Sequence, residues 1–370
     1  MNKKILVTAM GMALAGGMSL ANADVKLYGQ LDLSIDATDV DGGSDDVNMG
    51  ANRSAVGVKG SEDLGDGLSA FFKVEWQVDL DDDGTIPGTN EDDTSQSGNS
   101  ANGFKGRDQY IGLAMENFGK LTFGSMSTAY KSPGAKLDPF YRTRVQSRNV
   151  GLQSTLHKGK GEEGQGRATN TVRYDSPSFG GASLTGTYTF DNSEADGEDD
   201  NPYSLGVQYK GYGLYAFASY ISTNGSSNED AWQLGAKYAI GDLEVHGIYE
   251  NDGGLITLNQ GKKAGPKINE GSDDGLNIWS LGASYTIANN VVAFDYGQAM
   301  NSNDSSVKAS TIVPSLKGGV ALDNYTVWRL GAIHKFSKRT RVYLAYSNTD
   351  GDDSGVGESE ILSVGMRHNF

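Results

Sequence analysis

The histidines are the first residues to consider for chemistry, because a nucleophilic or acid–base centre often needs one as its base. The chain has no cysteine and only four histidines. No histidine accompanies a G-x-S-x-G motif, and neither zinc-ligand spacing nor a phosphate-binding loop occurs. They are better interpreted as residues of polar or interfacial surfaces: His157, His246, His334 and His368. The sequence therefore predicts no catalytic centre and no cofactor.

An acidic stretch offers a possible cation site. Asp79, Asp81 and Asp83, followed by Gly84, give the D-x-D-x-D-G opening of a calcium-binding loop. The twelfth position is Asn90, where such a loop needs a bidentate Glu. The match leaves two interpretations open, a specific calcium site and a solvated acidic segment.

A basic segment lies within this acidic chain, whose net charge is −16. Residues 127–168 carry only three acidic residues, Asp138, Glu162 and Glu163, against a basic set of Lys131, Lys136, Arg142, Arg144, Arg148, Lys158, Lys160 and Arg167. Such a segment could favour anions by repelling cations, or it could pair with acids elsewhere, such as Glu75. The acidic balance of the whole chain argues against nucleic acid as a partner.

The elements that position these residues are predicted to be β-strands. Apolar and small polar residues alternate through 182–190, 204–210, 232–238 and 279–285. Alternation with period two indicates half-buried strands. A soluble sandwich packs its apolar face on a core, whereas a transmembrane barrel turns that face to lipid. Alternation alone does not separate these two folds.

The lengths of the connections do separate them. Short turns at 61–66, 117–118, 177–181, 211–213, 240–242, 287–290 and 337–338 interleave with long polar stretches at 37–51, 80–105, 127–168, 191–200, 223–230, 251–273, 300–322 and 349–358. This pattern predicts an all-β fold, a 16-stranded antiparallel transmembrane β-barrel with short periplasmic turns and long extracellular loops. Phe370 ends the last strand, which we expect to close the barrel because lipid tolerates no open edge.

The N-terminus indicates export. Lys3 and Lys4 precede an apolar run to about Leu20, and a small-x-small pattern then ends at Ala23, with Asp24 next. These are the three regions of a secretory signal peptide. We predict a signal peptide over 1–23 and a single barrel domain over 24–370.

Five longer motifs and the terminal residue are spread over the predicted mature chain. They are Val25–Asp32, Gly57–Gly65, Tyr110–Leu113, Phe118–Gly124, Val172–Pro177 and the terminal Phe370. In these motifs the chain resembles the general trimeric porins of Gram-negative bacteria, in particular their gammaproteobacterial branch. The resemblance implies an outer-membrane channel for passive diffusion of small hydrophilic solutes and ions. It also implies a homotrimer in contact with lipid and lipopolysaccharide, with the third outside loop, 127–168, folded into the pore.

The resemblance further assigns residues to the narrowest part of the pore. Arg107 and Arg167 match positions where the family carries basic wall residues, Arg173 shares their face, and Arg53 lies near another such position. On the inward loop, Asp138 is the candidate acid that would oppose the basic wall. The expected constriction set is Arg53, Arg107, Arg167, Arg173, Lys136, Asp138, Arg142 and Arg144.

Other functions stay open beside the general porin. A substrate-selective porin would need an aromatic path, to which Tyr130, Phe140 and Tyr141 could contribute. An adhesin would depend on loop shape, which the sequence does not give. An outer-membrane barrel enzyme is a remote alternative.

Overall fold

The computed structural model describes residues 24–40, 45–78, 80, 105–157, 160–161, 166–190, 201–222, 230–251, 276–301, 324–351 and 358–370. The predicted signal peptide and the cation-site candidates Asp79, Asp81 and Asp83 lie outside these residues. Within them, no helix is long and apolar enough to cross a membrane.

The described strands form one closed antiparallel barrel. The sheet has 18 strand segments, of which Asp46–Ala51 and Ala55–Gly65 are two halves of one strand and Lys160–Gly161 is a short bridge within a loop. The predicted 16 barrel strands are therefore confirmed. They are β1 (Asp24–Val40), β2 (Asp46–Ala51 and Ala55–Gly65), β3 (Leu68–Gln77), β4 (Lys105–Met115), β5 (Gly119–Ser127), β6 (Arg167–Asp175), β7 (Ala182–Thr189), β8 (Tyr203–Gly211), β9 (Leu214–Ser222), β10 (Asp230–Ile240), β11 (Leu243–Asn251), β12 (Leu276–Ile287), β13 (Asn290–Asn301), β14 (Asn324–Lys335), β15 (Thr340–Gly351) and β16 (Ser359–Asn369).

The seam joins the first strand to the last. Strand β1 pairs with β16 from Gln30 opposite Asn369 to Val40 opposite Ser359. The terminal Phe370 completes the ladder, because its amide donates to the carbonyl of Gly29 and its carbonyl accepts from the amide of Gly29, at 3.0 and 3.1 Å. Closure satisfies the backbone groups that lipid could not.

The two faces of the barrel have opposite polarity. Large apolar side chains on the outer face are exposed, as with Leu27 at 69 %, Ile111 at 62 % and Leu281 at 62 %. Charged side chains on the inner face, such as Asp295 and Arg329, are buried. This inside-out arrangement distinguishes a barrel in lipid from a soluble sandwich.

Strand β2 is broken just after the stretch where a connection was expected. The sequence predicts a long polar stretch over 37–51, but β1 continues to Val40 and β2 begins at Asp46. The break comes later, at Asn52–Ser54, where Arg53 has a left-handed φ of 56°. A polar side chain replaces lost ladder bonds, since Ser54 Oγ accepts from the Asp32 amide at 2.8 Å and donates to the Asp32 carbonyl at 3.0 Å.

The third outside loop lies between β5 and β6, and its described residues 128–157 and 166 are folded into the lumen. It contains two short helices, α1 (Lys131–Gly134) and α2 (Ser147–Val150), and a 3-10 turn at Thr155–His157. Most of its described residues are buried. The described part of the expected inward loop therefore lies in the lumen, while its bounds of 127–168 stay a prediction.

The lumen wall beneath the loop is apolar, which the alternation did not predict. Phe140, Val145, Val150 and Leu152 of the loop pack in one cluster with inward residues of β12–β16: Ile278, Ala293, Ala299, Tyr325, Val327, Ile333, Tyr343, Ala345 and Ile361. Gly331 makes room for the Phe140 ring, since a Cβ there would come within 2.7 Å of it. We call this surface the loop seat. Only part of the lumen wall is therefore polar and open to water.

We predict that Phe140→Ala loosens the loop and leaves the barrel closed. Truncating a buried phenylalanine costs about 3–5 kcal/mol, and Phe140 is fully buried in the loop seat. Trypsin should then cut at loop arginines that the wild-type protein protects, while the heat-modifiable mobility of the barrel in gels is unchanged. Phe118→Ala is the matched control, because Phe118 is 68 % exposed. Equal protection of the loop in both variants would contradict the anchoring role.

Candidate functional site

A buried arginine holds the loop to the wall. Arg329 of β14 is ion-paired with Asp138 of the loop and Asp295 of β13, each at 2.9 Å. Its guanidinium also donates to the carbonyl of Val145 at 2.8 Å and to Ser147 Oγ at 3.0 Å. Asp138 in turn accepts from the amides of Phe140 and Ser147. Asp138 therefore anchors the loop. The sequence predicted that Asp138 would line the open pore, but its side chain is only 1 % exposed.

A carboxylate of the barrel wall, that of Glu250, binds residues near the start and near the end of the loop. Glu250 of β11 accepts hydrogen bonds from Tyr130 Oη at 2.7 Å and from the Ser154 amide and hydroxyl at 2.9 and 2.6 Å. His157 Nε2 lies 3.1 Å from the same carboxylate. Glu250 therefore holds the start and the end of the described loop, and Arg329 holds its middle.

Only one stretch of the loop faces water. Among its described residues from 128 to 157, those with accessible surface are Ser132, Ala135, Lys136, Pro139, Tyr141 and Arg142. Two of these are charged, Lys136 and Arg142, and both are basic. Arg144, a predicted constriction residue, is instead buried, and its pKa is lowered by that burial.

Lys136 lies against the wall of β8 and β9. Its Nζ donates to Gln208 Oε1 at 2.7 Å and lies 4.9 Å from the ring centre of Tyr215. Burial and the neighbouring cations Arg173 and Lys210 lower the pKa of Lys136. This lysine is thus part of a cationic surface on the lumen wall.

Arg142 forms the tip of the loop. Its φ of 64° lies in the left-handed region, which costs a non-glycine residue roughly 1 kcal/mol or more. The guanidinium donates from Nη1 to Gln30 Oε1 of β1 at 3.2 Å. Burial alone would lower the pKa of Arg142, but interactions with Tyr141, Glu75 and other acidic groups raise it above the ordinary value.

A network of ion pairs lines the wall of β3, β4 and β6. Arg107 Nε donates to Glu75 Oε1 at 2.7 Å, and Arg167 Nε donates to Asp108 Oδ1 at 2.8 Å. Lys73 bridges both carboxylates, 3.0 Å from Glu75 and 2.7 Å from Asp108. The predicted wall arginines Arg107 and Arg167 are therefore brought together, but with buried carboxylates between them. Three cations and two carboxylates leave the network with one excess positive charge.

The remaining predicted residues lie apart from this network. Arg173 is ion-paired with Asp175 at 2.7 Å and donates to the carbonyl of Ser127 at 2.8 Å. Arg53 is buried in the break of β2. Within the described part of the chain, no group of three or more His, Cys, Asp or Glu is arranged to hold a metal ion.

Sequence reasoning missed several charged residues that fix the site: Asp32, Lys73, Asp108, Glu250, Asp295, Arg329 and Arg367. Four of them, Asp32, Lys73, Asp295 and Arg329, carry a signal in the sequence, because each charge stands between two apolar residues of a strand. Asp295 lies between Phe294 and Tyr296, and Arg329 lies between Trp328 and Leu330. Such a charge must point into the lumen when its neighbours meet lipid.

Comparison with known proteins agrees with this architecture. A sequence model described as Gram-negative porin matches residues 7–354. The chain is 28% identical, over the full length of both chains, to outer membrane porin protein 32 of Delftia acidovorans and to an outer membrane porin of Bordetella pertussis. A major outer membrane protein P.IB of Neisseria lactamica is 27% identical, again over both full lengths. These relatives are betaproteobacterial, so the expected gammaproteobacterial branch is not supported.

Solved structures show the same fold. The anion-selective porin from Comamonas acidovorans superposes with a TM-score of 0.69 at 22% identity, covering 94% of this chain and 100% of that one. A trimer form of OmpT from Vibrio cholerae superposes with a TM-score of 0.58 at 18% identity, covering 94% and 99%. Fold, inward loop and sequence relatives lead to one conclusion. The chain belongs to the Gram-negative porin family and is a non-enzymatic β-barrel that forms a diffusion channel in the outer membrane.

Proposed function

We propose that this porin prefers anions and that the preference is set by the loop face carrying Lys136 and Arg142. The observation that supports it is the sign of the accessible charge. Both accessible charged residues of the described loop are basic, whereas the loop acid Asp138 is buried against Arg329. The transverse field expected of an acidic loop against a basic wall is therefore missing from this part of the pore.

The wall opposite the loop tip does not cancel this charge. Glu75 and Asp108 make their direct ion pairs with Lys73, Arg107 and Arg167, and not with the loop. Two unit charges 4 Å apart interact by about 1 kcal/mol in water and about 4 kcal/mol at an effective dielectric constant of about 20. Two accessible cations that make no direct ion pair with the wall carboxylates are thus sufficient to favour anions by several-fold at a narrow point. The Comamonas acidovorans porin, which is described as anion-selective, supports the same preference.

We also propose that the protein is a homotrimer joined through the outer face of β16, β1 and β2. That face is aliphatic and exposed, with Leu27, Ile35, Leu362 and Val364 among its residues. By contrast, the outer face of β8–β15 carries a row of paired aromatic rings: Tyr203–Tyr220, Trp232–Tyr249, Trp279–Tyr296 and Trp328–Tyr346. Amphipathic rings of this kind suit a lipid–water interface. We assign the aromatic half to lipid and the aliphatic strands to neighbouring subunits.

The predicted removal of residues 1–23 is likewise kept as a proposal. It is supported by Lys3 and Lys4 before the apolar run and by the small-x-small pattern that ends at Ala23. Mass spectrometry of the protein purified from outer membranes would give the mature N-terminus directly.

Substituting Arg142 and Lys136 tests the anion preference. We expect Arg142→Gln to reduce the anion-to-cation permeability ratio several-fold, and the double variant with Lys136→Gln to reduce it further, because each removes an accessible positive charge. The measurement is the reversal potential of single channels in a potassium chloride gradient. Arg339→Gln is the control, since Arg339 is exposed in the turn between β14 and β15. A cation-preferring wild type, or variants that match the control, would refute the proposal.

Cysteine labelling tests the trimer face. The chain has no native cysteine, so Ile35→Cys and Leu281→Cys each give a single thiol. Both side chains are well exposed on an isolated barrel, at 56 % and 62 %. In proteoliposomes we expect a membrane-soluble maleimide to label Leu281→Cys much faster than Ile35→Cys, and light scattering to give three times the mass of one chain. Equal labelling, or a monomeric mass, would contradict the assignment.

A further inference from the structure

A row of charges crosses the lumen wall just beside the loop tip. Arg341 of β15 lies directly opposite Arg367 of β16, and Arg367 lies directly opposite Asp32 of β1. Neighbouring strands are about 4.8 Å apart. Like charges directly opposite each other on adjacent strands repel. Two arginines side by side therefore need more negative charge than a single carboxylate provides.

Both carboxylate oxygens of Asp32 already have partners. Its Oδ2 is ion-paired with Arg367, and its Oδ1 accepts from Tyr343 Oη at 2.9 Å and from the Asn52 amide at 3.3 Å. Arg367 also holds the loop, because its Nη2 donates to the carbonyls of Tyr141 and Arg142 at 3.0 and 2.8 Å. The pair consequently holds the loop tip in place and leaves Arg341 uncompensated.

Two buried donors in this region have no protein partner. Neither Arg341 Nε nor Gln30 Nε2 has a hydrogen-bond partner among the residues that the structure describes. Gln30 lies one inward position from Asp32 on β1, and its carbonyl oxygen accepts from Arg142. Buried donors without a partner are rare in folded proteins and call for an explanation.

The loop tip adds a third cation to the same region. Arg142 keeps a left-handed backbone and is held there by Arg367 from behind and by Gln30 at its guanidinium. Strained residues that are fixed by their surroundings are common at ligand sites. Among Arg142, Arg341 and Arg367, only Arg367 thus makes a direct ion pair with a carboxylate, that of Asp32.

We propose that Arg341, Arg142 and Gln30 form a binding site for a small oxyanion, such as a carboxylate or sulfate, beside the constriction. A water molecule would satisfy the free donors but not the excess positive charge. Guanidinium groups present paired N–H donors that match the oxygens of a planar or tetrahedral oxyanion. This proposal rests on the proposed anion preference but goes further, because it predicts that certain anions bind in the pore and block the current of others.

The test uses the full-length mature channel in a planar bilayer, with sulfate as the probe. Potassium sulfate is titrated into potassium chloride at constant ionic strength, and single-channel chloride current is recorded. For wild type we expect a saturable decrease in current. Arg341→Gln should raise the half-inhibiting sulfate concentration about tenfold, a loss equivalent to about 1.4 kcal/mol.

The variant Arg341→Lys distinguishes specific oxyanion binding from a general effect of positive charge on anions in the pore. Lysine keeps the positive charge but lacks the paired N–H groups, so the reversal potential in potassium chloride should stay near the wild-type value while sulfate inhibition weakens. Lys210→Gln is the control, because it removes an exposed lumen-facing cation on β8, far from Arg341 along the wall. Heat-modifiable mobility confirms that each variant is folded.

Three outcomes would overturn the site. They are a wild-type current that falls without saturation, an unchanged half-inhibiting concentration in Arg341→Gln, and an equal change in Lys210→Gln. None of these depends on the sign of the reversal potential. A channel without anion preference would instead refute the proposal on Lys136 and Arg142, so the two failures are distinguishable.

Discussion

Lipid cannot form hydrogen bonds with the backbone, and this constraint fixes the rest of the molecule. It requires a closed ladder, which Phe370 and Gly29 complete at the seam. It also requires apolar residues on the outside, so that every charged side chain in the middle of a strand must point inward. The lumen is consequently crowded with charges that must find partners there. The ion pairs of the wall and the anchors of the loop are both consequences of this crowding.

The inward loop behaves as a small domain that shares its core with the barrel. Its helices are only one turn long, and isolated helices of that length are unstable in water. Their stability comes from the loop seat, where Phe140 and Leu152 are almost completely buried. The Arg329 ion pairs then fix the orientation of the packed loop. Because removing one partner would leave a buried charge uncompensated, this contact is costly to break and specifies one geometry.

The sequence was a good guide to the barrel and a poor guide to the site. Alternation and turn spacing predicted the strands because these depend on residues next to one another, as in the Trp232–Tyr238 segment. The role of Asp138 depends instead on register between distant strands, since its partner Arg329 follows it by almost 200 positions. Alternation also did not predict the loop seat. Inward residues such as Val327 and Ile333 are apolar like their outward neighbours, so their strand has apolar residues on both faces. Pairing between remote segments is a tertiary property, which local pattern does not contain.

The seam also determines when the pore acquires its final width during folding. Arg367, which binds the carbonyls of Tyr141 and Arg142, lies on the last strand, and its partner Asp32 lies on the first, 335 positions away. Contacts of such long separation form late, since the whole intervening chain must be ordered first. The loop tip therefore has no complete support until the barrel closes. Before the barrel closes, the loop lacks the contacts that fix its tip. We therefore expect narrowing of the channel to be among the last steps of barrel assembly.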